Sequence, residues 1–89
     1  MSQALKAKLA ELERRFLERA DEHRRAIAGA LAAGRRQELA ERAHKLAGIA
    51  GMFGQPAIGA AALALEEAVE TGSDPQPAAT RLIDLLGAL

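Results

Sequence analysis

The chain has 89 residues, its 12 Lys and Arg balance 12 Asp and Glu, and it contains no cysteine. That length supports one modest hydrophobic core in a single domain spanning residues 1–89, and the absent cysteines exclude disulfides and thiolate metal sites. The longest uncharged stretch, Gly48 to Leu65, is too rich in glycine to suit a membrane span, and Lys6, Lys8, Glu11 and Glu13 interrupt any signal-peptide core, so a soluble, cytoplasmic chain is expected.

From Ala4 to Ala33 there is no proline and one glycine, Gly29, while Leu5, Leu9, Leu12, Phe16, Ala20, Ile27 and Leu31 recur at helical steps. This pattern predicts one long amphipathic helix, or two collinear ones, with Ser2 as N-cap. His23 lies in the stripe between Ala20 and Ile27 and reads as a boundary or core histidine with a structural hydrogen bond. Gly34 stops this segment, and a second helix runs from about Arg35 to Gly54. Pro56 then opens a third, in a first turn that tolerates its missing N–H, and this helix extends to about Thr71. Its inward residues are Ile58, Ala61, Ala62, Leu65, Ala68 and Val69, with Glu66, Glu67 and Glu70 towards water or the helix edge. Gly72 ends it. Ser73-Asp74-Pro75 offers an N-cap followed by proline at the first position of a fourth helix, whose stripe is Ala79, Leu82, Ile83 and Leu86. Short connections between four helical segments predict an all-α, up-down antiparallel four-helix bundle, and 22 alanines allow close helix approach.

On the helical period, His44, Gly48 and Gly51 share one face of the second helix, and Leu39, Ala43, Leu46, Ala50 and Phe53 share another. The histidine is therefore expected to point outward. Glycine inside a helix costs about 1 kcal/mol relative to alanine, so two of them beside an exposed imidazole imply that something approaches it closely. Charge adds a second signal. Eleven of the 12 basic residues stand at or before Lys45, against seven carboxylates, so the first half carries +4 and the second −4. Either this is a mixed, solvated helix face, or Arg35, Arg36, Arg42 and Lys45 form a basic rim around His44 suited to an acidic partner or a phosphoryl group. Nucleic acid is not expected as a partner, because the only aromatics, Phe16 and Phe53, both lie on apolar stripes.

Several chemistries lack their residues. A di-iron site in a four-helix bundle needs paired Glu-x-x-His motifs, and only Glu41 with His44 has that spacing. The two serines, Ser2 and Ser73, both read as helix caps, which leaves no hydrolase nucleophile. No glycine-rich phosphate loop is present. An exposed imidazole can still act alone: a neutral ring nitrogen can accept a phosphoryl group and later release it, while the partner supplies metal and positive charge.

His44-Lys45-Leu46-Ala47-Gly48, Gly54 ten residues after the histidine, Ile58 after fourteen, and Leu65-Glu66 after twenty-one and twenty-two resemble a known pattern. It is the His-x-Leu-Lys-Gly…Leu-Gly…Leu…Leu-Glu pattern of histidine-containing phosphotransfer (HPt) domains. The resemblance implies a four-helix bundle with His44 as phosphoacceptor, at Nε2, and Gly48 as the clearance residue for a docking receiver domain. Gly51, Glu41 and Arg42 are expected to complete the docking surface. Gly51-Met52-Phe53-Gly54 is also similar to the phosphotransfer (P1) domain of chemotaxis histidine kinases. In those domains the glutamate of the Leu-Glu pair bonds the histidine's other nitrogen, so Glu66 either holds the imidazole tautomer or is a solvated residue at the helix edge. One departure stands out: the family's usual lysine three residues after the histidine is Ala47 here. Lys45 lies on the other side of His44 around the helix, where it either approaches a phosphoryl oxygen from that flank or is simply solvated.

The resemblance thus implies a phosphocarrier that is not itself an enzyme, relaying phosphoryl groups between aspartates of response-regulator receiver domains in two-component signalling. A monomer is expected, with no cofactor of its own, no bound metal, and Mg2+ held by the partner receiver. One alternative is a P1-type domain phosphorylated directly by a histidine kinase. Another is a non-phosphorylated helical interaction bundle whose first helix pairs with a partner or with itself.

Overall fold

The computed structural model describes residues 2–89, which form five α-helices and no strand. They are α1 (Gln3–Glu18), α2 (Ala20–Ala32), α3 (Arg36–Met52), α4 (Pro56–Glu70) and α5 (Gln76–Gly87). The long N-terminal segment takes the two-helix form that its pattern allowed, dividing at Arg19, so the described residues hold five helices. The Arg19 N–H donates to the carbonyls of both Arg15 (3.0 Å) and Phe16 (3.2 Å), tightening one turn, while His23 N–H still reaches Arg19 O at 2.9 Å. The result is two nearly collinear helices rather than a sharp bend. At about 1.5 Å per residue, residues 3–32 span about 45 Å, which accounts for the 44 Å long dimension of the molecule.

Helices α2 to α5 close the bundle, each packed against two neighbours, while α1 meets the body mainly through its last turns. Ile27, Leu39, Leu46, Leu65 and Leu82 are the largest fully buried side chains, and alanines at 43, 50, 62 and 79 fill the space between them. Every inward residue expected on α3 and α4 is buried or half-buried. The first stripe behaves differently. Phe16, Ala20 and Ile27 are buried and Leu12 is partly covered beside Ile49, Met52 and Phe53, but Leu5 stays 48% exposed and Leu9 is only partly covered, because they lie beyond the ends of the other helices.

Helix ends follow local chemistry. Ser2 Oγ accepts from Leu5 N–H (3.1 Å), as a cap should. Gly54 adopts φ +68°, which lets Gln55 N–H fold back to Ala50 O (3.0 Å) at the end of α3, and Gly34 and Gly72 repeat this closure on α2 and α4. Helix α5 begins one residue later than expected. Pro75 is its N-cap rather than its first helical residue, and Asp74 Oδ1 accepts from Gln76 N–H at 3.0 Å. Ser73 Oγ pairs instead with Thr71 Oγ1, 3.0 Å away.

Candidate functional site

Helices α3 and α4 pack closely because their facing residues are small. Gly59 is buried, and a Cβ built on it would lie 3.9 Å from both Ala47 O and Ala50 Cβ. Arg36 braces the far end of the same seam: its Nη2 donates to the carbonyls of Ser73 (3.1 Å) and Val69 (3.3 Å) and approaches that of Ala68 (3.5 Å). A cation there adds to the backbone bonds that already close the end of α4, Ser73 N–H to Ala68 O and Gly72 N–H to Val69 O, and complements the negative end of the α4 dipole.

This seam sets His44, midway along α3, beside Glu66 on α4. The imidazole is 75% exposed, and its Nδ1 lies 2.9 Å from Glu66 Oε2, a carboxylate only 19% exposed. A carboxylate at that distance favours the tautomer with the proton on Nδ1, leaving the Nε2 lone pair free. Along the same face, Gly48 and Gly51 have open space where a Cβ would stand, so α3 is bare for two turns beyond the histidine. On the other side, a shallow groove of about 420 Å³ is lined by Gln37, Ala40, Glu41, His44, Lys45, Glu66 and Glu70.

Most of the residues singled out in the sequence converge here: His44, Lys45, Glu41 and Glu66 share the groove, and Gly48 and Gly51 continue the face. Arg42 does not line the groove, since its Nε lies 3.3 Å from Glu38 Oε1. The basic rim is dispersed as well. Arg36 caps α4, and Arg35 pairs with Glu38 at 3.6 Å, so among the described residues Lys45 is the only member of that set without an ion-pair or hydrogen-bond partner. Glu41 accepts from Gln37 Nε2 at 3.3 Å. Gln37 and Glu70 were not anticipated in the groove. Their signal is spacing, since Gln37 is two turns before His44 and Glu70 one turn after Glu66.

His23 departs from expectation in one respect. It is half-buried against Phe16, with ring centroids 6.0 Å apart, but its side chain has no hydrogen-bond partner among the described residues. Desolvation lowers its pKa below 6.5, Arg42 and Arg19 push the same way, and Glu22 opposes them. It therefore belongs to the packing between α1, α2 and the end of α3, away from the groove at His44.

Comparison with protein families matches residues 11–89 to the family described as "Hpt domain". No curated protein and no solved structure gives a significant match.

Proposed function

The chain belongs to the Hpt domain family, whose members transfer phosphoryl groups in two-component signalling, and from that premise we propose that His44 is the residue that carries the group. The observation that carries the reading is the pairing of an imidazole 75% exposed with a carboxylate 2.9 Å from its Nδ1. In the forward step the Nε2 lone pair attacks the phosphorus of an acyl phosphate on a receiver-domain aspartate. The N–P bond forms as the P–O bond to the aspartate breaks, and the carboxylate leaves as an anion. The imidazole keeps its Nδ1 proton and becomes cationic, and Glu66 offsets that charge. Reversal returns the phosphoryl group to another receiver aspartate. A divalent cation held by the receiver would neutralise charge on the transferring oxygens, and this chain would contribute position and access.

Gly48 and Gly51 give the receiver a flat approach to Nε2, with Glu41 and Lys45 at the groove edge and Arg42 further around α3. Lys45 is free to meet a phosphoryl oxygen from the flank opposite Ala47. The contact made by Glu66 also favours a second reading, a P1-type domain fed directly by a histidine kinase. The two readings differ only in the donor.

The deciding experiment is incubation with phosphorylated receiver domains, following acid-labile, base-stable phosphate on the intact protein and on His44→Gln. Rapid labelling of the wild type alone, with helical content equal in both, is the expected result. Labelling that persists in His44→Gln would move the role to His23. Labelling by a kinase ATP-binding domain but by no receiver would select the P1-type reading.

A further inference from the structure

Among the described residues, two sets of polar contacts cross from α3 to the end of α4. One is His44 Nδ1 with Glu66 Oε2 at 2.9 Å, and the other is Arg36 Nη2 with the carbonyls of Ser73, Val69 and Ala68. The buried residues of both helices are otherwise apolar or glycine: Leu39, Ala43, Leu46 and Ala50 on α3, and Ile58, Gly59, Ala61, Ala62 and Leu65 on α4. Apolar burial is non-directional, whereas a hydrogen bond is lost once its heavy atoms separate by more than about 3.5 Å. The core therefore draws the helices together, and the polar contacts are what a slip or twist of α4 would break first.

Glu66 has no second support. Its carboxylate is only 19% exposed, yet His44 is its one polar partner among the described residues. The aim of that carboxylate is thus inherited from the α4 backbone, and Arg36 takes hold of the same backbone two and three residues further on, at Ala68 and Val69. Arg36 is suited to this by position, being the first residue of α3. It forms no ion pair among the described residues, although Asp74 lines the same cavity. Arg35 and Arg42 both pair with Glu38 on their own side of the seam, so of the arginines near the histidine Arg36 alone reaches the end of α4.

We infer that Arg36 is a positioning residue: by holding the last turn of α4 against the start of α3, it keeps the Glu66 carboxylate on His44 Nδ1 and so keeps Nε2 free. The consequence for phosphoryl transfer rests on the reading of His44 as phosphoacceptor. The consequence for the imidazole does not.

Imidazole 15N chemical shifts of the full chain at mildly alkaline pH report which ring nitrogen of His44 carries the proton. The wild type is expected to hold it on Nδ1, and Glu66→Ala to lose that preference. Arg36→Leu and Arg36→Gln, neither of which can reach the carbonyls with a guanidinium, should shift the ring in the same direction. Leu86→Ala is the control. It removes a buried side chain of α5 that lines a cavity against α1 and α2, so it lowers stability and should leave the tautomer as in the wild type. Transfer from a phosphorylated receiver should slow at least about twofold in Arg36→Leu, and the double variant with Glu66→Ala should be no slower than Glu66→Ala alone, as expected of residues that act as one unit. A folded Arg36→Leu with the wild-type tautomer overturns the inference, and Arg36→Gln decides in the same way where Arg36→Leu does not fold. An equal shift in Leu86→Ala, or an additive loss in the double variant, overturns it too. If no receiver labels the wild type while Arg36→Leu still shifts the ring, the positioning stands and the phosphoacceptor reading falls.

Discussion

The α3–α4 seam and the α1 arm are both amphipathic and both carry leucines at helical spacing, yet they fare in opposite ways. On the seam, Leu46 and Leu65 are fully buried, Gly59 lets the backbones approach, and Arg36 ties one helix to the end of the other. On the arm, Leu5 is half-exposed, and the ion pairs, Arg15 with Glu11 and Arg14 with Glu18, are exposed contacts within one helix. Such pairs contribute only about 0.3–0.5 kcal/mol each. The comparison teaches that apolar periodicity states what a helix could bury, whereas burial depends on whether another element extends far enough to meet it. His44 sits on the seam, where a carboxylate from a second helix stands 2.9 Å from its Nδ1.

The sharpest test of that contrast is a pair of truncations. Leu65→Ala removes a fully buried side chain and is expected to destabilise the bundle by about 2–5 kcal/mol, while Leu5→Ala should change the stability of the isolated bundle by less than about 0.5 kcal/mol. Chemical denaturation of both variants at low protein concentration measures the difference. Comparable losses would mean that α1 packs on the body as tightly as α4 does.

The glycines of the seam sharpen the comparison at a smaller scale. A Cβ on Gly59 meets its neighbours at ordinary contact distance and one on Gly48 meets nothing, so Gly59→Ala and Gly48→Ala should each raise stability by up to about 1 kcal/mol through helix propensity. Their functional effects should separate. Gly59→Ala is expected to leave phosphotransfer unchanged, whereas enlarging the other position to Gly48→Leu should keep the fold and block receiver docking, as measured by titration against a receiver that labels the wild type.

The smallest expected effect concerns the junction of arm and bundle. His23 has a pKa below 6.5 in the folded state, so the unfolded chain binds more protons as pH falls through 6.5. Stability contributed by the neutral imidazole is present above that pH and is lost as pH drops towards the folded value. Thermal melts between about pH 7.5 and 5.5 should therefore show a decline that His23→Leu flattens. An unchanged slope in the variant would assign the dependence to other groups.

Much of the fold was legible because its signals are local. Ser2, Gly34, Pro56 and Gly72 marked helix ends, and the core face of α3 followed from the positions of Leu39, Ala43, Leu46 and Ala50 alone. That the N-terminal segment could be two collinear helices was legible, but their junction at Arg19 was not, since neither proline nor glycine marks it. The start of α5 shifted because Asp74, rather than Ser73, supplies the acceptor at that end. At the candidate site, outward projection of His44 and the clearance at Gly48 and Gly51 could be read from periodicity. The groove could not, because Gln37 and Glu70 enter it from positions that are meaningful only once α3 and α4 are side by side. Arg36 misled for a related reason: its charge is plain in the sequence, but carbonyls more than 30 residues away determine where that charge is used.

The sequence by itself determined an all-helical chain, an outward histidine with room beside it, and the Hpt pattern, because helix period, capping and glycine placement are properties of neighbouring residues. Only the tertiary structure decided that Glu66 stands 2.9 Å from His44 Nδ1, that Arg36 turns away to the end of α4, and that the first turns of α1 remain uncovered. Each of these depends on the distance between helices far apart in the chain, which is fixed by packing of the whole core and by no local pattern.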